Sequence, residues 1–228
     1  MGVSRITRRC VAPLLSVFVL ASCTSSAPAP SKSGDIQVAP GSHEQILLGR
    51  QLVLTHDCGG CHGGFNNPAA KGWLAGLMSP TQPFRIGACS VDNPTGKPCY
   101  VTRPRNLTPD NATGLGRFSE RQIFNALRYG LRPEDTPDVE ITSASPGQGN
   151  FPVNPHYIAP PMPWPSWRHM TDQELWAIAA YLKHGVKAVT NKVEESEGPP
   201  DFWAALYAGR DIGLHPAAPF PTANEQLH

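Results

Sequence analysis

The sequence has no run of lysine and arginine interleaved with aromatic residues, and only 16% of its 228 residues are charged. Nothing in it suits nucleic acid, and that class of partner is set aside. It is also short of membrane-spanning segments: the apolar run over residues 11–21 is well below the roughly 20 residues that a helix needs to cross a bilayer. Methionine is scarce, at four residues including the initiator, so any role for a thioether narrows to Met78, Met162 and Met170. What the chain has in excess is 21 Gly and 25 Pro, which argues against a sheet-rich body or a regular helical bundle and for long ordered loops. With 40% hydrophobic residues it can bury one good core, and two full-sized domains would be a squeeze.

The N-terminus reads as an address. Arg5, Arg8 and Arg9 precede the apolar run and small residues follow it, the layout of a secretory signal over residues 1–22. Without those three arginines the 19 basic residues no longer outnumber the 18 acidic ones, and the mature protein is mildly acidic. Leu20-Ala21-Ser22-Cys23 resembles the lipobox of bacterial lipoproteins, in which the cysteine is acylated and becomes the new N-terminus. The resemblance implies a lipid anchor at Cys23; the alternative is a plain cleaved signal with an incidental cysteine. Residues 23–41, rich in Ser, Ala, Pro and Gly, cannot bury enough apolar surface to fold and suit a flexible tether. A folded domain is expected over 42–190 and a C-terminal extension over 191–228. The expected location is the bacterial cell envelope, on the periplasmic side, with the lipid holding the protein to a membrane.

Cys58-Gly59-Gly60-Cys61-His62 is the strongest chemical signature in the chain. C-x-x-C-H is the attachment pattern of haem c. Two thiols three residues apart on a turn can add to the two vinyl groups on one porphyrin edge, and the histidine that follows then faces the iron as proximal ligand. A thioredoxin-like dithiol would want a strand before the motif, whereas Leu47, Leu48, Leu52 and Val53 recur there at helical spacing. A zinc site would need a second ligand pair at similar spacing, and none exists. One covalent haem c is therefore expected, attached at Cys58 and Cys61, with His62 bound to iron. Export fits this reading, because c-type haem is attached outside the bacterial cytoplasm.

For the sixth ligand, Met162 stands in Ala159-Pro160-Pro161-Met162-Pro163-Trp164, a stiff segment in which proline fixes φ and denies the chain a helix. A weak thioether bond needs such rigidity. Met170, just before a helix cap, and Met78, in a Gly-rich apolar loop, read as core filling. His156 and His169 leave a bis-histidine haem as the alternative.

Ser42 is expected to begin a helix running to about Asp57, with Ile46, Leu47, Leu52 and Val53 toward a partner and Arg50 and Gln51 toward water. Ser119-Glu120-Arg121-Gln122 is a capping box for a helix to Tyr129 that Gly130 stops. Thr171-Asp172-Gln173-Glu174 caps a third helix, ended by Gly185, with Leu175, Ile178, Ala179 and Leu182 inward. The first and last helices would cross and close around the haem, with Ala179 and Ala180 permitting close approach. Phe84-Arg85-Ile86 and Tyr100-Val101-Thr102 look like two short strands, with turn residues between them at 92–96. Cys89 and Cys99 would form a disulfide across this hairpin in an exported protein, the alternative being two reduced thiols.

Over roughly residues 42–185 the chain resembles the class I cytochromes c: the Cys58 to His62 motif, then Met162-Pro163-Trp164, then the final helix over 171–184 follow in that family's order. The resemblance implies an all-α fold, the cytochrome c fold, here with long ordered loops and a small β-hairpin. Asn106-Leu107-Thr108-Pro109-Asp110 with Thr113-Gly114-Leu115-Gly116 is similar to a segment of the cytochrome subunits of membrane-bound alcohol and sugar-acid dehydrogenases. Those subunits usually carry three haem domains, and this chain has one attachment motif. In that family the segment runs beside the haem edge, which makes Arg105 and Asn106 candidates for contacting a propionate. Beyond Asn191, Glu194, Glu195 and Glu197 read as a solvated acidic patch. Phe202, Trp203, Leu206 and Tyr207 have a helical spacing that suits packing on the domain or, alternatively, a partner.

Electron transfer needs no catalytic side chain, because the cofactor does the chemistry. The expected function is that of an electron carrier, not an enzyme, shuttling single electrons between periplasmic redox partners. Donors would be a dehydrogenase or a quinol-oxidising complex, and acceptors an oxidase or another cytochrome. Two alternatives remain: a haem-based sensor or enzyme with a labile sixth ligand, and a fixed electron-accepting subunit of a dehydrogenase complex. A peroxidase of the usual bacterial type would need a second C-x-x-C-H, and the sequence has one.

Overall fold

The computed structural model describes residues 39, 41–77, 83–89 and 97–198. The signal segment, Cys23 and nearly all of the tether lie outside the described residues, as do Met78 and the aromatic group of Phe202, Trp203, Leu206 and Tyr207. Helix α1 (His43–Thr55) begins where Ser42 takes up extended backbone and its hydroxyl accepts from the Gln45 N–H. It stops two residues short of Asp57. That residue adopts a left-handed conformation (φ 52°), and the chain restarts as a short helix, α2 (Cys58–His62), so the attachment motif is itself helical.

Strands β1 (Phe84–Gly87) and β2 (Cys99–Thr102) pair antiparallel, with Phe84 opposite Thr102 and Gly87 opposite Cys99. A disulfide joins Cys89 to Cys99, whose Cα atoms lie 4.9 Å apart. Helix α3 (Glu120–Tyr129) carries both halves of its capping box, Ser119 and Gln122, and ends on Gly130 in the left-handed region at φ 68°. The proline-rich segment is less extended than expected, since a single helical turn, α4 (Trp164–Trp167), follows Pro163. Pro165 sits in that first turn, where its missing N–H would have had no helical partner. Helix α5 (Asp172–Ala180) starts from the Thr171–Glu174 capping box and continues as a wider π-turn, Tyr181–Gly185. Helices build the frame, but much of the described chain is ordered loop and a two-stranded sheet is present, so all-α describes the frame alone.

The core lies where α1 crosses α5 and α3 closes the side, with Val53, Leu74, Phe124, Leu175 and Ile178 at its centre. The buried face of α1 is Gln45, Gly49, Leu52 and Val53. Leu47, expected inward, is 50% exposed. Close approach of α1 and α5 is marked at Gly49, where a Cβ would lie 1.9 Å from the Ala177 carbonyl oxygen and 2.7 Å from Tyr181 Cβ; Ala179 and Ala180 are fully buried. A second, small cluster of Leu131, Ile141 and Phe151, with Tyr129 and Tyr157 against it, fills the long loop between α3 and α4.

Past the π-turn the chain runs back over the domain as a strap, residues 186–198. Val193 is buried, Asn191 donates to the Ala75 carbonyl at 2.7 Å, and Glu197 pairs with Val101 beside β2. The acidic patch is not merely solvated: Glu194 and Glu197 pair with Arg103, and Glu195 with Arg105. Among the described residues no helix is long and apolar enough to cross a membrane.

Candidate haem site

The C-terminal end of α1, α2, the loop over 102–118, the segment 158–167 and the strap surround one cavity of about 1090 Å³. Cys58, Cys61, His62 and Met162 all line it, although Met162 is 100 residues further along the chain. His156 and His169 do not. His156 instead lies 3.1 Å from the Asp135 carboxylate, and Met170 packs on the core as expected.

His62 closes α2 and is 9% exposed. Its Nδ1 lies 2.7 Å from the Arg105 carbonyl oxygen. A carbonyl only accepts, so Nδ1 carries the proton and the lone pair is on Nε2, the arrangement a metal-binding imidazole requires. Burial lowers the proton affinity of the ring, and the Arg105 carbonyl works partly against this. The imidazole is therefore neutral and oriented, with one nitrogen engaged and one available.

Neither thiol of the motif is in a disulfide; Cys58 is buried and Cys61 exposed. Burial pushes the Cys58 thiol up to about 12, and the Asp57 carboxylate adds to the shift. Cys61 moves in the same direction for the same two reasons. A dithiol built for exchange needs a depressed pKa, so thiol–disulfide chemistry does not suit this pair. Among the described residues no three His, Cys, Asp or Glu side chains are arranged to hold a bare metal ion. The donors fit a metal that brings further ligands of its own: two thiols for covalent attachment, an oriented imidazole, and a thioether, all lining one cavity. A haem meets that description, with apolar wall from Leu107, Leu115, Phe118 and Trp167.

Arg105 and Asn106 both line the cavity, but their roles differ from a shared grip on a propionate. Asn106 is 2% exposed and its amide is fully engaged. It donates to the Thr113 hydroxyl and the Val189 carbonyl and accepts from the Thr108 N–H and hydroxyl. Its side chain therefore holds the wall together and has no donor left for a ligand. Arg105 contributes the carbonyl that orients His62, while its guanidinium reaches the strap at Glu195 and Ser196. The carbonyl is a functional group that no side-chain motif could reveal. Lys183 is another residue without a sequence signal: from the π-turn it donates to the carbonyls of Gly116, at 2.9 Å, and Phe118, at 2.6 Å, pinning the wall next to Leu115.

Known proteins similar to this chain include three cytochrome subunits of dehydrogenases. The gluconate 2-dehydrogenase cytochrome c subunit of Pantoea cypripedii is 25% identical over 181 residues, 76% of this chain and 32% of that protein. The cytochrome c subunit of alcohol dehydrogenase (quinone) from Gluconacetobacter polyoxogenes is 27% identical over 144 residues, 63% and 22% of the two chains. The fructose dehydrogenase cytochrome subunit of Gluconobacter japonicus is 23% identical over 164 residues, 72% and 26%. The aligned region thus spans about a third or less of the length of these relatives. The family model described as cytochrome c matches residues 46–185, from α1 through the π-turn, which takes in the motif, Met162 and the cavity walls other than the strap. The chain belongs to the cytochrome c family, whose members carry covalently bound haem c.

Proposed function

We propose that this cytochrome is an electron-transfer protein with one haem c, attached through thioethers at Cys58 and Cys61 and bound axially by His62 and Met162. The observation that carries the reading is the convergence of these four residues on one cavity, with His62 Nδ1 already engaged by the Arg105 carbonyl. Haem iron supplies a reversible one-electron couple. The residues do the rest. Arg105 fixes the imidazole and raises its basicity as a ligand. The apolar wall disfavours the extra charge of Fe(III), which together with a thioether ligand raises the potential. Arg105, whose side chain is 43% exposed, is the proposed propionate donor, while Asn106 acts through the loop.

The protein is proposed to sit on the periplasmic side of a bacterial membrane, anchored by a lipid at Cys23 after removal of residues 1–22 and tethered by residues 23–41. Its proposed partners are a dehydrogenase or quinol-oxidising complex as donor and an oxidase or another cytochrome as acceptor. A second reading, a fixed electron-accepting subunit, is favoured by the relatives, all three of which are cytochrome subunits of dehydrogenases. Stable co-purification with a dehydrogenase would select the subunit, and its absence the shuttle.

The deciding experiment is the visible spectrum of the purified protein, oxidised and reduced, with attention to the weak far-red absorbance that reports iron–methionine bonding. It should be present in the oxidised protein and lost in Met162→Ala, with attachment at Cys58 and Cys61 intact. If it is absent and carbon monoxide binds readily to the reduced protein, the six-coordinate carrier is wrong and a sensor or enzyme with a labile sixth position replaces it.

A further inference from the structure

Met162 belongs to a segment with little regular structure, so something outside the segment must fix its place on the cavity wall. The backbone supplies two local ties: the Met162 N–H donates to the Ala159 carbonyl at 3.0 Å, and the Trp164 N–H to the Met162 carbonyl at 2.9 Å. These shape the turn but do not anchor it to the domain. Besides the packing of Met162 itself on the core, each flank carries an anchor, and one from each flank leads to the same residue.

On the N-terminal flank, the Ile158 N–H donates to the carbonyl of Gly130 at 2.7 Å. The neighbouring residues extend this tie, with Leu131 bridging antiparallel to Tyr157 and the Arg132 N–H donating to the His156 carbonyl at 2.9 Å. On the C-terminal flank, Trp164 is 1% exposed and its indole lies directly on Gly130. A Cβ at Gly130 would lie 2.1 Å from Cε2, 2.3 Å from Cδ2 and 2.5 Å from Cζ2 of that ring. The Tyr157 ring stacks parallel to the indole on the other flank, with centroids 6.1 Å apart. Gly130 thus has two duties. It ends α3 at a positive φ, and its missing side chain is the space that the indole occupies.

Resting on the assignment of Met162 as the distal ligand, we infer that Gly130 is a positioning residue for that ligand. It clamps the methionine segment at both flanks, four residues before Met162 by a hydrogen bond and two residues after it by indole packing. The end of α3 therefore sets where the thioether stands along the wall of the cavity that the α2 histidine also lines. Trp164 is the second member of the clamp.

The test is hydrogen exchange, read by peptide, on the full-length haem-loaded protein as wild type, Gly130→Ala and Trp164→Phe, together with the far-red band of each. In Gly130→Ala the peptide over 156–164 should exchange about tenfold faster while peptides from α1 and α5 keep their wild-type rates. The far-red band should weaken, and carbon monoxide should capture the reduced protein faster. Unchanged exchange over 156–164 with an unchanged band would overturn the inference. If Gly130→Ala also loosens α1 and α5, the variant has disturbed the whole domain and Trp164→Phe decides: a rise confined to 156–164 supports the clamp, and none refutes it. A wild-type protein without the band would mean that Met162 is not the ligand. The exchange result would still decide whether Gly130 holds the segment, so the two failures are distinguishable.

Discussion

Replacing Gly49 with alanine sets two effects of opposite sign against each other, and the structure says which wins. In the interior of a helix the change by itself favours the folded state by about 1 kcal/mol, because glycine has the greater backbone freedom to lose. Against this stands the crossing of α1 and α5. The new Cβ would lie 1.9 Å from Ala177 O, 2.6 Å from Ala177 C and 2.7 Å from Tyr181 Cβ. Favourable contact begins near 3.5 Å, so the helices would have to part by roughly 1.5 Å, and none of these atoms can rotate aside. A gap of half that size already forfeits a quarter to a half of the dispersion attraction across it, and the interface here includes the buried Val53, Leu175 and Ile178. Overpacking of a core ordinarily costs about 1–3 kcal/mol, and a backbone clash belongs at the upper end. Net of the propensity gain, Gly49→Ala should destabilise by about 1–2 kcal/mol, which for a chain of this size lowers Tm by about 2–8 °C. Thermal unfolding of the haem-loaded protein, followed by far-UV circular dichroism, reads this directly, with Arg50→Ala on the exposed side of α1 as control. A variant that melts at or above the wild type would refute the crossing as described, because propensity alone would then account for the result.

Two further outcomes rest on the loop beneath the strap. The Asp110 carboxyl is held below the usual aspartate value, first by the Thr113 hydroxyl and then by the Thr190 hydroxyl and the Thr113 N–H. Its contribution is therefore complete above the ordinary aspartate pKa and disappears as pH falls through the lowered one. The stability gap between wild type and Asp110→Asn should be widest near neutrality and close in acid, and a gap constant across an acid series of denaturant melts would contradict this. Asn106→Ala removes the acceptor of the buried Thr108 N–H and a donor to the Val189 carbonyl. The Thr108 hydroxyl can turn fully to Val189, so one orphaned N–H and a small void remain, costing about 2–3 kcal/mol in chemical denaturation. A loss below about 1 kcal/mol would mean that water takes the place of the amide.

What was legible in the sequence is what is local. Helices α3 and α5 announce themselves through capping boxes that both form, and the stop at Gly130 follows from its need for positive φ. The hairpin is marked by turn residues between two β-prone segments, and the attachment motif by its spacing. The buried face of α1 was legible in part: Leu52 and Val53 are buried and Ile46 packs on the core as expected, but apolar residues surround the helix, and Leu47 faces outward while Gln45 and Gly49 take places in the buried face. Gly49 lies in plain view but matters only once Ala177 is known to sit against it. The Arg105 carbonyl is invisible for a different reason, since every residue but proline carries the same backbone donor and acceptor. Asn106 stands at the expected wall in a different role. Proximity to a ligand could be inferred by resemblance, but the four hydrogen bonds that occupy its amide depend on partners up to 83 residues away.

The strap shows why the working unit extends past the family match, which ends at residue 185. The orientation of His62 depends on the Arg105 carbonyl, so it depends on whatever holds the loop around residue 105. On one side that loop is tied to the preceding turn, where the Leu107 N–H donates to the Leu74 carbonyl at 2.8 Å. On the other it is tied to the strap by the Asn106 amide donating to the Val189 carbonyl, and by the Val189 and Asn191 N–H groups donating to the Thr108 and Thr113 hydroxyls. The ion pairs of Arg103 and Arg105 look like the stronger link, but their carboxylates are 64–81% exposed. Such pairs contribute about 0–1 kcal/mol each and weaken in salt. The buried bonds and the burial of Val193 therefore carry the attachment, and the ion pairs fix its register. The result is three layers, the α2 histidine, the loop and the strap, of which the strap has no sequence motif. A domain cut at Gly185, where the last helical signal ends, would leave the Asn106 amide without Val189 and the Thr113 hydroxyl without Asn191. The carbonyl that orients the proximal imidazole would then hang on one side only.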